Sequence, residues 1–226
     1  MLLSLLTGPV FVQAVAWNGA DVRITSAHSL SAENCMPSLC TFTKGGYQGR
    51  GVPGQLYDAN FISVFSSGLT IGLVVLYDAT WASDQWGLGT LKSFLKNGGR
   101  ATPGALTKDS SNPPSIKESG GGNLARQAAA LTLNIGFDAY VPAIPPFPDL
   151  GTNIGDLVYF NVFDPGDSLN GLTVSQILAV VNQALAGGAL PPGYSYGDLT
   201  EMAGLLNESY DDCIISPWAI NYLLWP

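Results

Sequence analysis

Apolar residues occupy nearly the whole circumference of a helix predicted within the segment 120–138, GGGNLARQAAALTLNIGFD. Two neighbouring stripes follow the helical repeat, one of Leu124, Ala128, Leu131 and Ile135 and the other of Ala125, Ala129, Leu133 and Phe137. A helix that is apolar on all sides has to be covered by other elements, so the pattern predicts a buried central helix over 123–137. Asn134 lies within the apolar run, and its amide, if buried, needs hydrogen-bond partners.

Two amphipathic helices are predicted after this central helix. The first has apolar residues at helical spacing after Thr173, namely Val174, Ile177, Leu178, Val181 and Leu185. The second repeats that spacing with Leu199, Met202, Ala203, Leu206 and Tyr210 after the capping sequence 195–198, SYGD. Because only a short Gly-Pro loop separates them, we expect an antiparallel pair that clasps the central helix.

The extended segments are fewer and less regular. A continuous apolar run at 69–81, LTIGLVVLYDATW, predicts one strand buried on both sides, and 155–163 predicts a second strand. Residues 55–65 favour a short helix or packed turn, 87–97 favour a helix, and 100–122 form a long polar loop. The predicted fold class is α+β, with a mainly helical core, a few strands and long Gly/Pro-rich loops.

The predicted domain organisation is one domain over 17–226, preceded by residues 1–16 as a leader or a terminal packing strand. Within it, 17–85 is rich in loops and strands, 86–213 is the helical half, and 214–226 is an apolar tail. Residues 1–16 resemble the apolar core of a secretory signal and end in the small-residue pattern Ala14-Val15-Ala16, which favours export. No basic residue precedes the run, so a strand or a misassigned start site remains the alternative.

Composition and charge narrow the function classes. Hydrophobic residues make up 46% of the chain and charged residues 12%, which excludes disorder and is typical of secreted proteins and assembly subunits. The net charge is −8, and none of the nine basic residues follows Arg126. Nucleic acid is therefore not an expected partner, since phosphate binding needs clustered Lys and Arg. No segment beyond the leader has the length of apolar sequence that an integral membrane helix needs.

Three cysteines and one histidine limit the redox and metal chemistry. Cys35 and Cys40 flank a Pro-containing turn that could bring their sulfur atoms to bonding distance, so we predict a Cys35–Cys40 disulfide, with three buried thiols as the alternative. Zinc is poorly supported because no CxxC pair exists and His28 is isolated. Asp164, Asp167 and Asn170 offer three oxygen ligands in one turn, which suits extracellular calcium, although the same residues are ordinary turn formers.

Catalytic motifs are absent from the sequence pattern. Residues 193–197 spell G-x-S-x-G, but no strand is predicted before them and no histidine follows, so Ser195 is interpreted as a helix cap. The aromatic residues Tyr47, Trp81 and Trp86 lie near turns and could stack on sugars, although aromatic side chains more often fill cores. We therefore expect no enzyme activity and no cofactor other than calcium.

A series of short segments occurs in a specific order and is spread over most of the chain after Cys40: CTFTKGGYQGRG (40–51), GLTIG (68–72), FLKNGGRATPGALT (94–107), LARQAAALTLNIGFD (124–138), GDLV (155–158), LTVSQILAVVNQALAGG (172–188) and LTEMAGLLNESYDDC (199–213). In these segments the chain resembles a group of secreted bacterial surface proteins. The resemblance implies an extracellular or cell-surface location and carries over no catalytic residue.

The first functional hypothesis is a non-catalytic extracellular structural or surface protein, such as a self-assembling filament or sheath subunit. Its partners would be further copies of itself or other surface proteins, through apolar residues of the tail: Trp218, Tyr222, Leu224 and Trp225. The alternatives are a secreted carbohydrate-binding or adhesion module, which would use the aromatic loops to bind glycan, and, third, a secreted hydrolase.

Overall fold

The computed structural model describes residues 11–16, 23–29, 39–72, 74–77, 91–96, 105, 121–140 and 153–226. The chain divides into two compact units, Met1–Pro37 and Ser38–Pro226. The first contains an antiparallel hairpin of β1 (Phe11–Ala16) and β2 (Arg23–Ser29). Residues 17–37, which the sequence analysis assigns to the main domain, thus belong to the first unit.

The second unit is a mainly helical α+β fold, which confirms the predicted class. Its helices and strands, in chain order, are α1 (Val52–Val64), β3 (Leu69–Ile71), β4 (Val74–Tyr77), α2 (residues 91–96), α3 (Gly122–Tyr140), β5 (Val158–Tyr159), α4 (Val174–Leu185), α5 (Tyr196–Asn207), α6 (Pro217–Tyr222) and β6 (Leu223–Leu224). None of the helices in the described ranges is long and apolar enough to cross a membrane.

Helix α3 is the central helix that the sequence predicts, and both of its apolar stripes are largely buried. Its alanines let neighbouring helices approach closely, and α1, α4 and α5 all pack against it. Gly136 shows how close that approach is, because a Cβ atom there would come within 2.5 Å of the Phe65 ring just after α1. The predicted clasp of two later helices around α3 is confirmed.

Both clasping helices begin with a complete capping box. The Thr173 hydroxyl accepts a hydrogen bond from the Gln176 backbone N–H, and the Gln176 side chain accepts one from the Thr173 N–H. Ser195 and Asp198 form the same reciprocal pair at the start of α5. Each box satisfies backbone donors that a helix terminus otherwise leaves unpaired. The interpretation of Ser195 as a cap is confirmed.

The run at 69–81 is not one continuous strand, contrary to the prediction. The chain turns at Gly72, whose positive φ of 58° favours glycine, and β3 and β4 pair as an antiparallel hairpin. The N–H of Gly72 donates to the side chain of Asn182 in α4 at 2.8 Å, which holds the turn against that helix. Leu69 and Ile71 are buried while Thr70 is exposed, so β3 covers the core with one face only. Residues 78–81 lie outside the described residues.

The disulfide joins Cys40 to Cys213, so the predicted Cys35–Cys40 bond is wrong. The backbone places these distant cysteines together: the Thr41 N–H donates to the Tyr210 carbonyl, and the Tyr210 N–H donates to the Thr41 hydroxyl, both at 2.9 Å. Local spacing could not show this pairing, because 173 residues separate the two cysteines. Cys35 itself lies outside the described residues.

Candidate assembly surface

The segment leading into β5 is attached to the end of α3. The Asn153 side chain accepts from the Gly155 N–H at 2.6 Å and donates to the Ile135 carbonyl at 3.1 Å. The N–H of Ile154 donates to the carboxylate of Asp138, also at 2.6 Å. Two hydrogen bonds to α3 therefore position the segment from which β5 continues.

A small antiparallel sheet is built on this base from β5 and β6. Val158 lies opposite Leu224 and Tyr159 opposite Leu223, and the N–H of Phe160 extends the pairing by donating to Tyr222. The other edge of β5 is occupied, since Tyr159 exchanges backbone hydrogen bonds with residues 171 and 172. Strand β6 is thus the outer strand of the sheet in the described chain. The strand predicted over 155–163 is present but is only two residues long.

Side chains alternate between the two faces of this sheet, as the pleat of a strand requires. Tyr159 and Leu223 are buried on the inner face, whereas Phe160 and Leu224 are exposed on the outer face. Beneath the sheet, the rings of Trp218 and Tyr222 stack at 5.4 Å, and each lies 6.2 Å from the ring of Tyr159. This aromatic layer docks the tail, including Trp218 and Tyr222, on its own chain.

The loop between β5 and α4 is organised by Asp167. One carboxylate oxygen accepts from the Tyr159 hydroxyl at 2.9 Å, and the other accepts from the Tyr194 hydroxyl at 2.8 Å and the Leu169 N–H at 2.9 Å. Burial opposes ionisation, but these hydrogen bonds together lower the pKa of Asp167. The pKa values of both tyrosines are raised, mainly by burial and secondly by the hydrogen bond to Asp167.

The three residues proposed as calcium ligands all lie in this loop, and its internal hydrogen bonds use their side chains. Asp164 accepts from the Gly166 N–H at 3.1 Å, and Asn170 accepts from the Asn161 N–H at 2.6 Å. The Asp167 carboxylate accepts hydrogen bonds from Tyr159, Tyr194 and the Leu169 N–H. The hydrogen bonds account for the shape of the loop, and calcium binding stays a prediction. In the part of the chain that the structure describes, no three His, Cys, Asp or Glu side chains are grouped to hold a metal.

Further exposed apolar side chains lie in the turn that follows β5 and at the residue after β6. Phe163 is 80% exposed although its ring lies 6.3 Å from that of Tyr222, and Val162 next to it is 56% exposed. We call the following residues the C-terminal apolar surface: Phe160, Val162, Phe163, Leu224 and Trp225. Exposed apolar surfaces of this kind are typical of interaction sites.

The structure divides the predicted contact residues into two groups. Leu224 and Trp225 are on the C-terminal apolar surface, whereas Trp218 and Tyr222 are half-buried in the layer beneath it. Phe160, Val162 and Phe163 were not predicted. The available signal was the run VYFNVF at 158–163, which carries large apolar residues directly into the turn DPGD, where polar residues are usual.

The predicted glycan platform is contradicted at one of its three residues. Tyr47 is fully buried among Phe42, Tyr57 and Phe137, and its hydroxyl donates to Asn134, so it cannot stack on a sugar. Burial, together with the negative charge of Asp138, raises the pKa of Tyr47 well above its ordinary value. Trp81 and Trp86 lie outside the described residues, so the carbohydrate-binding hypothesis now depends on them alone.

Negative charge borders the C-terminal apolar surface. Asp156 and Asp164 are exposed beside it, and residues 153–226 include eight acidic and no basic side chains. A partner that docks there meets an apolar centre with an acidic border. Searches against protein-family models, curated proteins and solved structures found no match.

Proposed function

We propose that this protein is a non-catalytic extracellular structural protein that assembles with further copies of itself, as a filament or sheath subunit. The C-terminal apolar surface is the observation that carries the proposal. Its side chains lie on or directly beside a sheet that is joined to α3 by hydrogen bonds and to α6 by stacked rings, which supports a surface shaped in advance of binding. Preorganised surfaces lose less entropy on association.

The energetics favour weak, concentration-dependent assembly. Burying what remains exposed of five apolar side chains contributes on the order of 5 kcal/mol, and the neighbour contributes a similar amount. Association costs about 4–15 kcal/mol in lost translational and rotational freedom. The gain and the cost are of the same order, so the proposal expects assembly that depends on concentration.

Three features support an extracellular location. The Cys40–Cys213 disulfide suits an oxidising compartment, because thiols of cytosolic proteins are normally kept reduced. The low content of charged residues and the resemblance to secreted bacterial surface proteins point the same way. Fractionation of the producing cells would test this part of the proposal, which requires the protein in the medium or on the cell surface.

The assembly proposal is tested by sizing the full chain by light scattering up to about 1 mM, where even weak contacts are populated. We expect the average mass to rise with concentration and Phe163→Ser to suppress that rise. Ile214→Ser is the matched control, since Ile214 is 71% exposed but is not part of the C-terminal apolar surface. A wild-type protein that stays monomeric across this range would refute the proposal.

A further inference from the structure

Helix α1 carries apolar side chains on two opposite faces. Leu56, Tyr57 and Phe61 are buried in the core. On the outer face, Val52 is 60% exposed, Ile62 is 53% exposed, and Ala59 is exposed between them. These three positions, which we call the α1 face, are separated by seven and three residues and therefore lie on one side of the helix, which they share with the exposed Gln55. Polar residues are expected on the outside of a surface helix, so this face is a second exposed apolar surface.

The α1 face and the C-terminal apolar surface belong to elements that pack on different faces of α3. The chain at the end of α1 contacts Gly136 through Phe65 and Val64. The segment before β5 instead faces the Ile135 side chain, since a Cβ atom at Gly155 would lie 3.1 Å from Ile135 Cγ2, and it bonds to the Asp138 carboxylate. Adjacent residues of a helix point about 100° apart, so α1 and β5 approach α3 from different directions. The two surfaces therefore belong to different sides of the packing around α3.

The two surfaces also differ in charge. Residues 38–126 contain eight basic and five acidic side chains, whereas residues 127–226 contain ten acidic and no basic ones. Beside the α1 face, Arg50 is exposed, and Asp58 is already paired with Lys92 at 2.5 Å. Lys96 lies exposed one helical turn beyond Lys92. The α1 face is therefore bordered by net positive charge, and the C-terminal apolar surface by negative charge.

We propose that the α1 face of one copy docks on the C-terminal apolar surface of the next copy. This inference rests on the proposed function and specifies its geometry. The contact joins two different surfaces, so it is heterologous: each copy can bind a neighbour at both ends, and repetition gives a ring or a filament. A symmetric contact of the C-terminal apolar surface with itself would instead bring two acidic borders together, which like-charge repulsion disfavours.

The test uses two variants of the full chain, each with one surface disabled. Ile62→Asp introduces a charge into the α1 face, and Phe163→Asp does so in the C-terminal apolar surface. Both side chains are exposed, so the fold should be retained, which circular dichroism checks. Ile214→Asp is the control, because it replaces an exposed apolar residue by Asp outside both surfaces. This variant should assemble like wild type.

Each variant alone should remain monomeric by sedimentation velocity, at concentrations where wild type assembles. An equimolar mixture should form a dimer of twice the monomer mass and grow no further, because each variant supplies the surface that the other lacks. If Ile62→Asp assembles like wild type while Phe163→Asp does not, the contact is symmetric and the inference fails, although the proposed function stands. A mixture that stays monomeric also overturns it. If wild type itself is monomeric, both proposals fail.

Discussion

Asn134 and Phe42 exchange two hydrogen bonds across 92 positions of sequence: the Phe42 N–H donates to Asn134 Oδ1 at 2.9 Å, and Asn134 Nδ2 donates to the Phe42 carbonyl at 3.0 Å. The same amide accepts from the Tyr47 hydroxyl at 2.6 Å and donates to Asn207 at 2.8 Å. Asn207 in turn donates to Gln127. One buried side chain thus connects α3 to the segment before α1 and to α5.

Replacing Asn134 by Ala should destabilise the protein strongly. The change leaves the Phe42 N–H, the Tyr47 hydroxyl and other buried groups without partners, and each such group costs about 1–3 kcal/mol. We expect a loss of about 4 kcal/mol in the free energy of unfolding, measured by chemical denaturation. Thr132→Ala on the same helix is the control, because its hydroxyl donates to the carbonyl four residues earlier and, among the described residues, to no distant segment. Equal losses in both variants would contradict a structural role for the network.

Counting free thiols distinguishes the Cys40–Cys213 disulfide from a Cys35–Cys40 disulfide. In denaturant without reductant, the wild type should show one free thiol, and Cys35→Ser should show none. If Cys35 were bonded to Cys40, the change would instead leave two free thiols. The double variant Cys40→Ser, Cys213→Ser should lose about 5 kcal/mol in the free energy of unfolding. The disulfide joins residues 173 positions apart, and a cross-link that closes so long a loop strongly reduces the conformational entropy of the unfolded chain. Non-reducing peptide mapping gives an independent check of the linkage.

Replacement by Ala should change the stability of the protein in opposite directions at two glycines inside helices. A Cβ atom at Gly54 in α1 would overlap the backbone carbonyl of Gly49, so Gly54→Ala should cost more than about 2 kcal/mol despite the better helix propensity of Ala. At Gly204 in α5 the nearest atom is Gln127 Nε2 at 3.4 Å, which is an ordinary van der Waals distance, so Gly204→Ala should stabilise by up to about 1 kcal/mol. Thermal unfolding of both variants measures the difference, and a stabilising Gly54→Ala would contradict the close approach.

Asp167 should make the stability of the loop depend on acid pH. Its folded-state pKa lies below the ordinary 3.8, so its contribution is present above the unfolded-state value and disappears as the pH falls through the folded-state value. Asp167→Asn should cost about 1–2 kcal/mol at pH 7 through weaker bonds to the two tyrosines. The difference between wild type and variant should shrink below pH about 4. Denaturation at a series of pH values measures it, and a difference independent of pH would refute this account.

Much of the helical architecture could be predicted from local patterns. The apolar positions of α3, α4 and α5 repeat with the helical period, and the caps at Thr173 and Ser195 are recognisable from residues three positions apart. Asn134 could be identified as a residue that needs partners, although the partners could not. Such features depend on residues within one or two helical turns of each other, so the local sequence is enough to predict them.

The sequence by itself therefore determined the central helix, the two helices that clasp it and the mainly helical class. Only the tertiary structure decided that Cys40 bonds to Cys213, that Gly72 turns 69–77 into a hairpin, and that Tyr47 is buried. It also decided that Phe163 and Ile62 stay exposed, since the hydropathy of a side chain does not reveal what covers it. The physical reason is the same in each case: these outcomes depend on contacts between distant segments, which periodicity along the chain does not encode.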